Sequence, residues 1–96
     1  MATFATVISF VSDTERRLAV RPRHREYLQR LLADGKLHES GPFADESGAL
    51  IVYETDDEAA AQQLLADDPY TQAGVIDEVS IHEWHILFAR EPAGPR

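Results

Sequence analysis

Leu37-His38-Glu39-Ser40-Gly41-Pro42-Phe43 and Ala49-Leu50-Ile51-Val52-Tyr53-Glu54 are two extended runs, separated by Ala44-Asp45-Glu46-Ser47-Gly48. The separating segment is built from residues that hairpins use, so the spacing predicts two antiparallel strands over 37–43 and 49–54. A hairpin at the centre leaves the flanks to decide the fold. Upstream, Thr3 to Val11 sets Phe4, Ile8 and Phe10 on one parity and Ala5, Val7 and Val11 on the other, which predicts a strand apolar on both faces. Polar Ser12-Asp13-Thr14 can cap a helical turn, and Pro22 is expected to separate that short turn from a main helix starting at about Pro22. Along this helix His24, Tyr27, Leu28, Leu31 and Leu32 follow the i, i+3, i+4, i+7, i+8 spacing of one buried stripe, which carries His24 toward the core. Gly35 stands where a left-handed residue ends a helix.

Downstream of the hairpin, Thr55-Asp56-Asp57-Glu58 reads as a capping box ahead of a second helix, whose Ala60, Ala61, Leu64 and Leu65 form its apolar face. Continuing that spacing reaches Asp68. Pro69 then forbids further helix, so Asp68 is expected at the helix exit on the side that faces the sheet. Val75 to Ala89 reads as a long strand, with a bulge near His82 and Glu83 to carry its apolar parity from Val79 and Ile81 to Trp84, Ile86 and Phe88. The predicted order β-α-β-β-α-β is the ferredoxin-like α+β pattern: a four-stranded antiparallel sheet with two helices on one face. One domain is expected over residues 1–90, and residues 91–96, with two prolines and a glycine, as a disordered tail. Strands 3–11 and 49–52 are apolar on both parities, so the uncovered sheet face predicts a homodimer packed sheet to sheet.

The chain of 96 residues is 44% apolar, enough for one core and not for two. Its 17 acidic and 9 basic residues give a net charge of −8, which disfavours a nucleic-acid partner. The absence of cysteine excludes disulfides and thiol nucleophiles and fits a cytoplasmic location. Phe4 to Val11 is the longest candidate for a signal core; it is too short to span a bilayer and follows no basic segment, so no membrane association is expected. Arg16, Arg17, Arg21, Arg23, Arg25 and Arg30 crowd into residues 16–30, where only Glu26 and no other acid offsets them. Such a cluster pairs with the protein's own acidic surface or a second subunit, or it holds a small carboxylate or phosphate; the first is the more economical reading.

His24 on a leucine-lined stripe must be desolvated and needs a partner, and Asp68 is the natural one, because the two helix ends can approach across one edge of the sheet. A carboxylate against an imidazole fixes its tautomer and favours its protonated form, which suits a general acid or base as well as a purely structural pair. Arg21, three residues before His24, shares its helical face and could hold an anionic group, while Ser40 offers a hydroxyl at a strand edge. His82 and His85 point to opposite faces of a regular strand, so they chelate only if the bulge falls between them, and no metal is expected there. No nucleotide-cradling or serine-elbow motif is present, so no cofactor is expected.

The run Arg21-Pro22-Arg23-His24-Arg25-Glu26-Tyr27-Leu28, then Gly35-Lys36-Leu37, Ser40-Gly41-Pro42, Asp68-Pro69-Tyr70, Gly74 and Glu83-Trp84, resembles the YciI-like (YCII-related) family from about Phe4 to Trp84. The resemblance implies a ferredoxin-like subunit, a dimeric α/β barrel and a site centred on a histidine and an aspartate, which match His24 and Asp68. It also implies kinship with dehydrochlorinases and muconolactone-isomerase-type enzymes. Two readings follow. One is a cofactor-free lyase or isomerase in which His24 moves a proton, Asp68 orients it, Arg21 holds the anionic group of a small cyclic or unsaturated acid, and Tyr27 and Ser40 are pocket donors. The other is a noncatalytic dimeric binding or accessory module. The chain departs from the family's usual pattern in one place, the extra charged helix of Thr14 to Val20 at the pocket mouth.

Overall fold

The expected hairpin forms the middle of the chain, with β2 (Leu37–Pro42) paired antiparallel to β3 (Gly48–Thr55) in the computed structural model, which describes residues 1–90. Around it lie β1 (Ala2–Phe10), α1 (Thr14–Ala33), α2 (Glu58–Ala66), a one-turn α3 (Pro69–Gln72) and β4 (Ile76–Glu83). The sheet order is β2-β3-β1-β4, antiparallel throughout, which is the ferredoxin-like α+β fold of dimeric α/β-barrel proteins. The expected tail, residues 91–96, lies outside the described residues.

Register explains the two faces of the sheet. Phe4 opposes Tyr53, Thr6 opposes Ile51 and Ile8 opposes Ala49, and these six side chains are buried beneath the helices with Val20, Leu28 and Leu31 of α1 and Ala61 and Leu65 of α2. Each fully buried aliphatic side chain of this layer contributes about 2 kcal/mol. On the opposite parity Ala5 opposes Val52 and Val7 opposes Leu50; Val7 is 40% exposed although Val52 is wholly buried. Gly48 is required where β3 meets β1, because a Cβ there would fall 2.0 Å from the Ile8 carbonyl oxygen.

Helix α1 corrects the expected break at Pro22. It runs unbroken from Thr14, capped by Asp13 accepting from the Arg16 amide at 3.1 Å. Proline deprives the Leu18 carbonyl of its usual donor, a cost of about 3 kcal/mol. Leu18 and Pro22 are both exposed, so solvent can take that carbonyl, and the stripe Arg17, Val20, His24, Leu28 and Leu31 stays in phase across the proline. The continued burial offsets the local cost. Leu32, expected on the stripe, is 55% exposed, one residue too far round the helix. The end of α1 agrees with the sequence: Gly35 has φ +75° and its amide donates to Leu32, while Lys36 donates to Leu31, the paired bonds of a Schellman motif.

Three further expectations are corrected. Helix α2 is capped by Asp57, which accepts from the Ala60 amide at 2.9 Å, and not by Thr55, which still belongs to β3 and donates its hydroxyl to the Asp57 carbonyl. The last strand ends at Glu83 and not near Ala89. No bulge falls at His82 and Glu83, since Ala5 opposes His82 and Phe4 opposes Glu83 in continuous register; the irregularity lies between Ile8 and Phe10 of β1. Residues 84–90 are outside regular structure, leaving Leu87 and Phe88 largely exposed.

Candidate active site

Asp68 is not the last residue of α2 but the cap of α3. Pro69 occupies the first position of that turn and has no N–H, so the side chain of Asp68 reaches the next amide, accepting from Tyr70 at 2.8 Å. Wholly buried, it needs further donors, and α1 supplies one. His24 Nδ1 lies 2.8 Å from Oδ1 and 2.9 Å from Oδ2 of Asp68. A carboxylate only accepts, so Nδ1 carries the proton and donates. His24 is itself 7% exposed, and no hydrogen bond to its Nε2 forms among the described residues. The pair joins residues 44 apart in the chain and ties α1 to the α2–α3 junction.

The ring of Tyr70 stacks on the imidazole, centroids 3.8 Å apart and planes 7° from parallel, and Phe10 meets Tyr70 edge-on at 5.5 Å. His24 is thus held by charge at one nitrogen and by packing over its face. His24 opens on a cleft of about 490 Å³ between α1 and the β2–β3 hairpin. Leu28, Leu37, Pro42 and Ala49 give it apolar walls. Arg17, Arg21 and Arg25, spaced i, i+4, i+8 along one side of α1, line it together. Burial raises the Tyr70 phenol above its ordinary pKa, and these three guanidiniums, Arg17 foremost, oppose the rise. Tyr53, behind the pair, has a buried hydroxyl without a partner among the described residues; burial, then the charge of Asp68, pushes its pKa far up.

The structure therefore brings His24, Arg21 and Ser40 to one cleft, Ser40 at its exposed β2 side, with Asp68 buried behind His24 and outside the lining. Tyr27 is elsewhere. Its hydroxyl donates to the Leu64 carbonyl at 2.6 Å and ties α1 to α2, and its pKa is pushed up to about 12, first by burial and then by Asp67 and Asp68. Sequence reasoning placed Arg17 only within the basic cluster and Tyr70 only within the family-like run, and singled out neither for the site. Tyr70 could have been found from the Asp68-Pro69-Tyr70 turn, and Arg17 from its i, i+4 relation to Arg21 had α1 been carried through Pro22. Among the described residues no three His, Cys, Asp or Glu side chains are placed to hold a metal ion, and no helix is long and apolar enough to cross a membrane.

Fold and cleft together define a ferredoxin-like α+β protein with a buried histidine–aspartate pair at the floor of a basic pocket. The YCII-related domain model matches residues 2–85, so the chain belongs to the YCII-related family. It is 34% identical over 84 residues to Protein YciI of Escherichia coli, covering 77% of this chain and 86% of that one. Among solved structures it is similar to 5-chloro-2-hydroxyhydroquinone dehydrochlorinase (TftG) from Burkholderia phenoliruptrix, in complex with 2,5-dihydroxybenzoquinone, with a TM-score of 0.76, 20% identity, and coverage of 86% of this chain and 93% of that one. It is also similar to muconolactone isomerase, with a TM-score of 0.66, 16% identity, and coverage of 96% and 93%. At these identities the two structures speak for the fold.

Proposed function

We propose that the protein is a cofactor-independent lyase or isomerase acting on a small cyclic or unsaturated organic acid. One observation carries the reading: both oxygens of a buried carboxylate hold His24 Nδ1, which leaves Nε2 as the ring atom to meet a ligand in the cleft. In that tautomer Nε2 has a lone pair and acts as a base. It takes a proton from carbon beside a carbonyl, and Asp68 stabilises the imidazolium that forms. The electron pair released from the C–H bond becomes a new double bond as a leaving-group anion departs, or the proton returns to a different carbon and the double bond shifts. The guanidiniums on α1 attract the acid, and the stacked Tyr70 keeps the imidazole plane fixed during transfer. The names of the two similar structures, a dehydrochlorinase and an isomerase, fit these two outcomes of one proton abstraction.

The working unit is proposed to be a homodimer packed through the open sheet face, where Val7 and Trp84 are exposed. The test of function is turnover of halogenated and unsaturated cyclic acids by wild type and His24→Ala. The expected result is a loss of about 10²- to 10⁴-fold in kcat. Saturable binding without turnover, unaffected by the substitution, would favour a binding module.

A further inference from the structure

Arg17 is the one strongly buried guanidinium of the cleft, at 6% exposure, and its setting is unusual for a cation. Its flat face lies over the Phe10 ring, 4.6 Å from the centroid. Among the described residues its carboxylate partner is Glu46, whose Oε1 stands 3.7 Å from Nη2, beyond hydrogen-bond distance. The two are unequal: the Arg17 side chain is nearly enclosed, while that of Glu46 is 65% exposed. Glu46 also occupies the hairpin tip with φ +60°, a left-handed conformation that favours glycine and is strained for glutamate. A strained, exposed residue thus reaches a carboxylate toward a buried cation inside a ligand-sized cleft. Neither Arg21 nor Arg25 has a carboxylate within 4 Å among the described residues, so neither draws Glu46 or any other acid away from Arg17.

We infer that Arg17 is the anchor for the carboxylate of an organic acid with an apolar body, and that Glu46 holds the anchor's place until the acid displaces it. This rests on reading the cleft as an organic-acid site, and it assigns the anionic group to Arg17 with Arg21 and Arg25 in a steering role. A planar guanidinium takes a carboxylate through two parallel N–H bonds, a geometry that Glu46 at 3.7 Å does not reach. The apolar walls on the sheet side then receive the body of the acid, with His24 on the floor between.

The probe is benzoate, titrated into the full chain and followed by NMR, with acetate and inorganic phosphate as comparisons. Saturable benzoate binding is expected, tighter than either comparison. Arg17→Lys keeps a charge but loses the fork, and should weaken benzoate about tenfold. Glu46→Gln removes the competitor at an exposed position with no burden on the core, and should tighten benzoate about threefold. Arg21→Gln should cost less than Arg17→Lys. Benzoate affinity unchanged in both Arg17→Lys and Glu46→Gln, or phosphate bound more tightly than benzoate, overturns the assignment. The two readings fail separately: benzoate bound through Arg17 with no acid turned over leaves the anchor and removes the catalysis, whereas turnover at wild-type KM in Arg17→Lys leaves the catalysis and removes the anchor.

Discussion

Replacing Asp68 with asparagine tests the centre of the site with almost no change of shape. The amide oxygen can keep the bond from the Tyr70 amide, now 2.8 Å long, so α3 retains its cap. Where the second carboxylate oxygen stood 2.9 Å from His24 Nδ1, an NH₂ group now stands. The amide oxygen is still 2.8 Å from Nδ1, but the Nδ1–H now meets one acceptor and one donor where it had two acceptors, so the ring proton shifts from Nδ1 toward Nε2. In the Nε2–H form the base faces the wrong way. One charge-assisted hydrogen bond becomes a neutral one, a loss of about 1–2 kcal/mol, which for a chain of this size lowers Tm by roughly 5–15 °C. Asp68→Ala is harsher, because it strands the Nδ1 proton and the Tyr70 amide together, for roughly 2–6 kcal/mol. Urea denaturation reads the stability, and nitrogen-resolved NMR of the His24 ring reads the tautomer. An Asp68→Asn protein with its proton still on Nδ1, or with stability within about 0.5 kcal/mol of wild type, would refute the argument that this carboxylate dictates the state of the ring.

Three other outcomes are expected. Tyr27 has its pKa pushed up to about 12 in the folded protein, so it contributes stability that is fully present below its unfolded pKa near 10 and is lost as pH rises toward 12; urea midpoints between pH 9 and 12 should fall less steeply in Tyr27→Phe, and an identical slope would count against it. Gly48→Ala forces a Cβ to within 2.0 Å of the Ile8 carbonyl, an atom that cannot rotate away, and should cost about 3 kcal/mol or prevent soluble folding; a urea midpoint equal to wild type would show that β1 and β3 are not so closely apposed. Sedimentation equilibrium should give twice the 10.7 kDa chain mass, and Val7→Asp on the open face should shift the protein toward monomer; a wild-type monomer that binds no hydrophobic dye would end the sheet-to-sheet proposal.

The fold was legible because its signals were redundant. The turn at Ala44–Gly48, the apolar run of β1 on both parities and the left-handed Gly35 each point to the same β-α-β-β-α-β order, and an error in any one would not have changed it. The misreadings came where a single local rule stood alone. Pro22 forbids an ideal helix by about 3 kcal/mol, yet the in-phase stripe from Arg17 to Leu31 carries more burial than the break would save. The long final strand was inferred from apolar parity, but beyond Trp84, whose amide still donates to the Thr3 carbonyl at 2.7 Å, Leu87 and Phe88 meet no partner strand among the described residues, and parity cannot supply one.

The site divides along the same line. His24 and Asp68 each carried a private anomaly, an imidazole on a leucine stripe and a carboxylate fixed at the residue before a proline, so their meeting could be inferred from helix geometry. Arg17 carried none, since one arginine among six in a basic run has nothing to mark it. Its role exists only once α1 crosses Pro22 without breaking, Phe10 turns its ring beneath the guanidinium, and the hairpin tip holds Glu46 above the cleft. These are three separate elements, and no spacing rule links them. Thr14 to Val20, the turns of α1 that precede Pro22, are the part that brings a buried cation to the pocket.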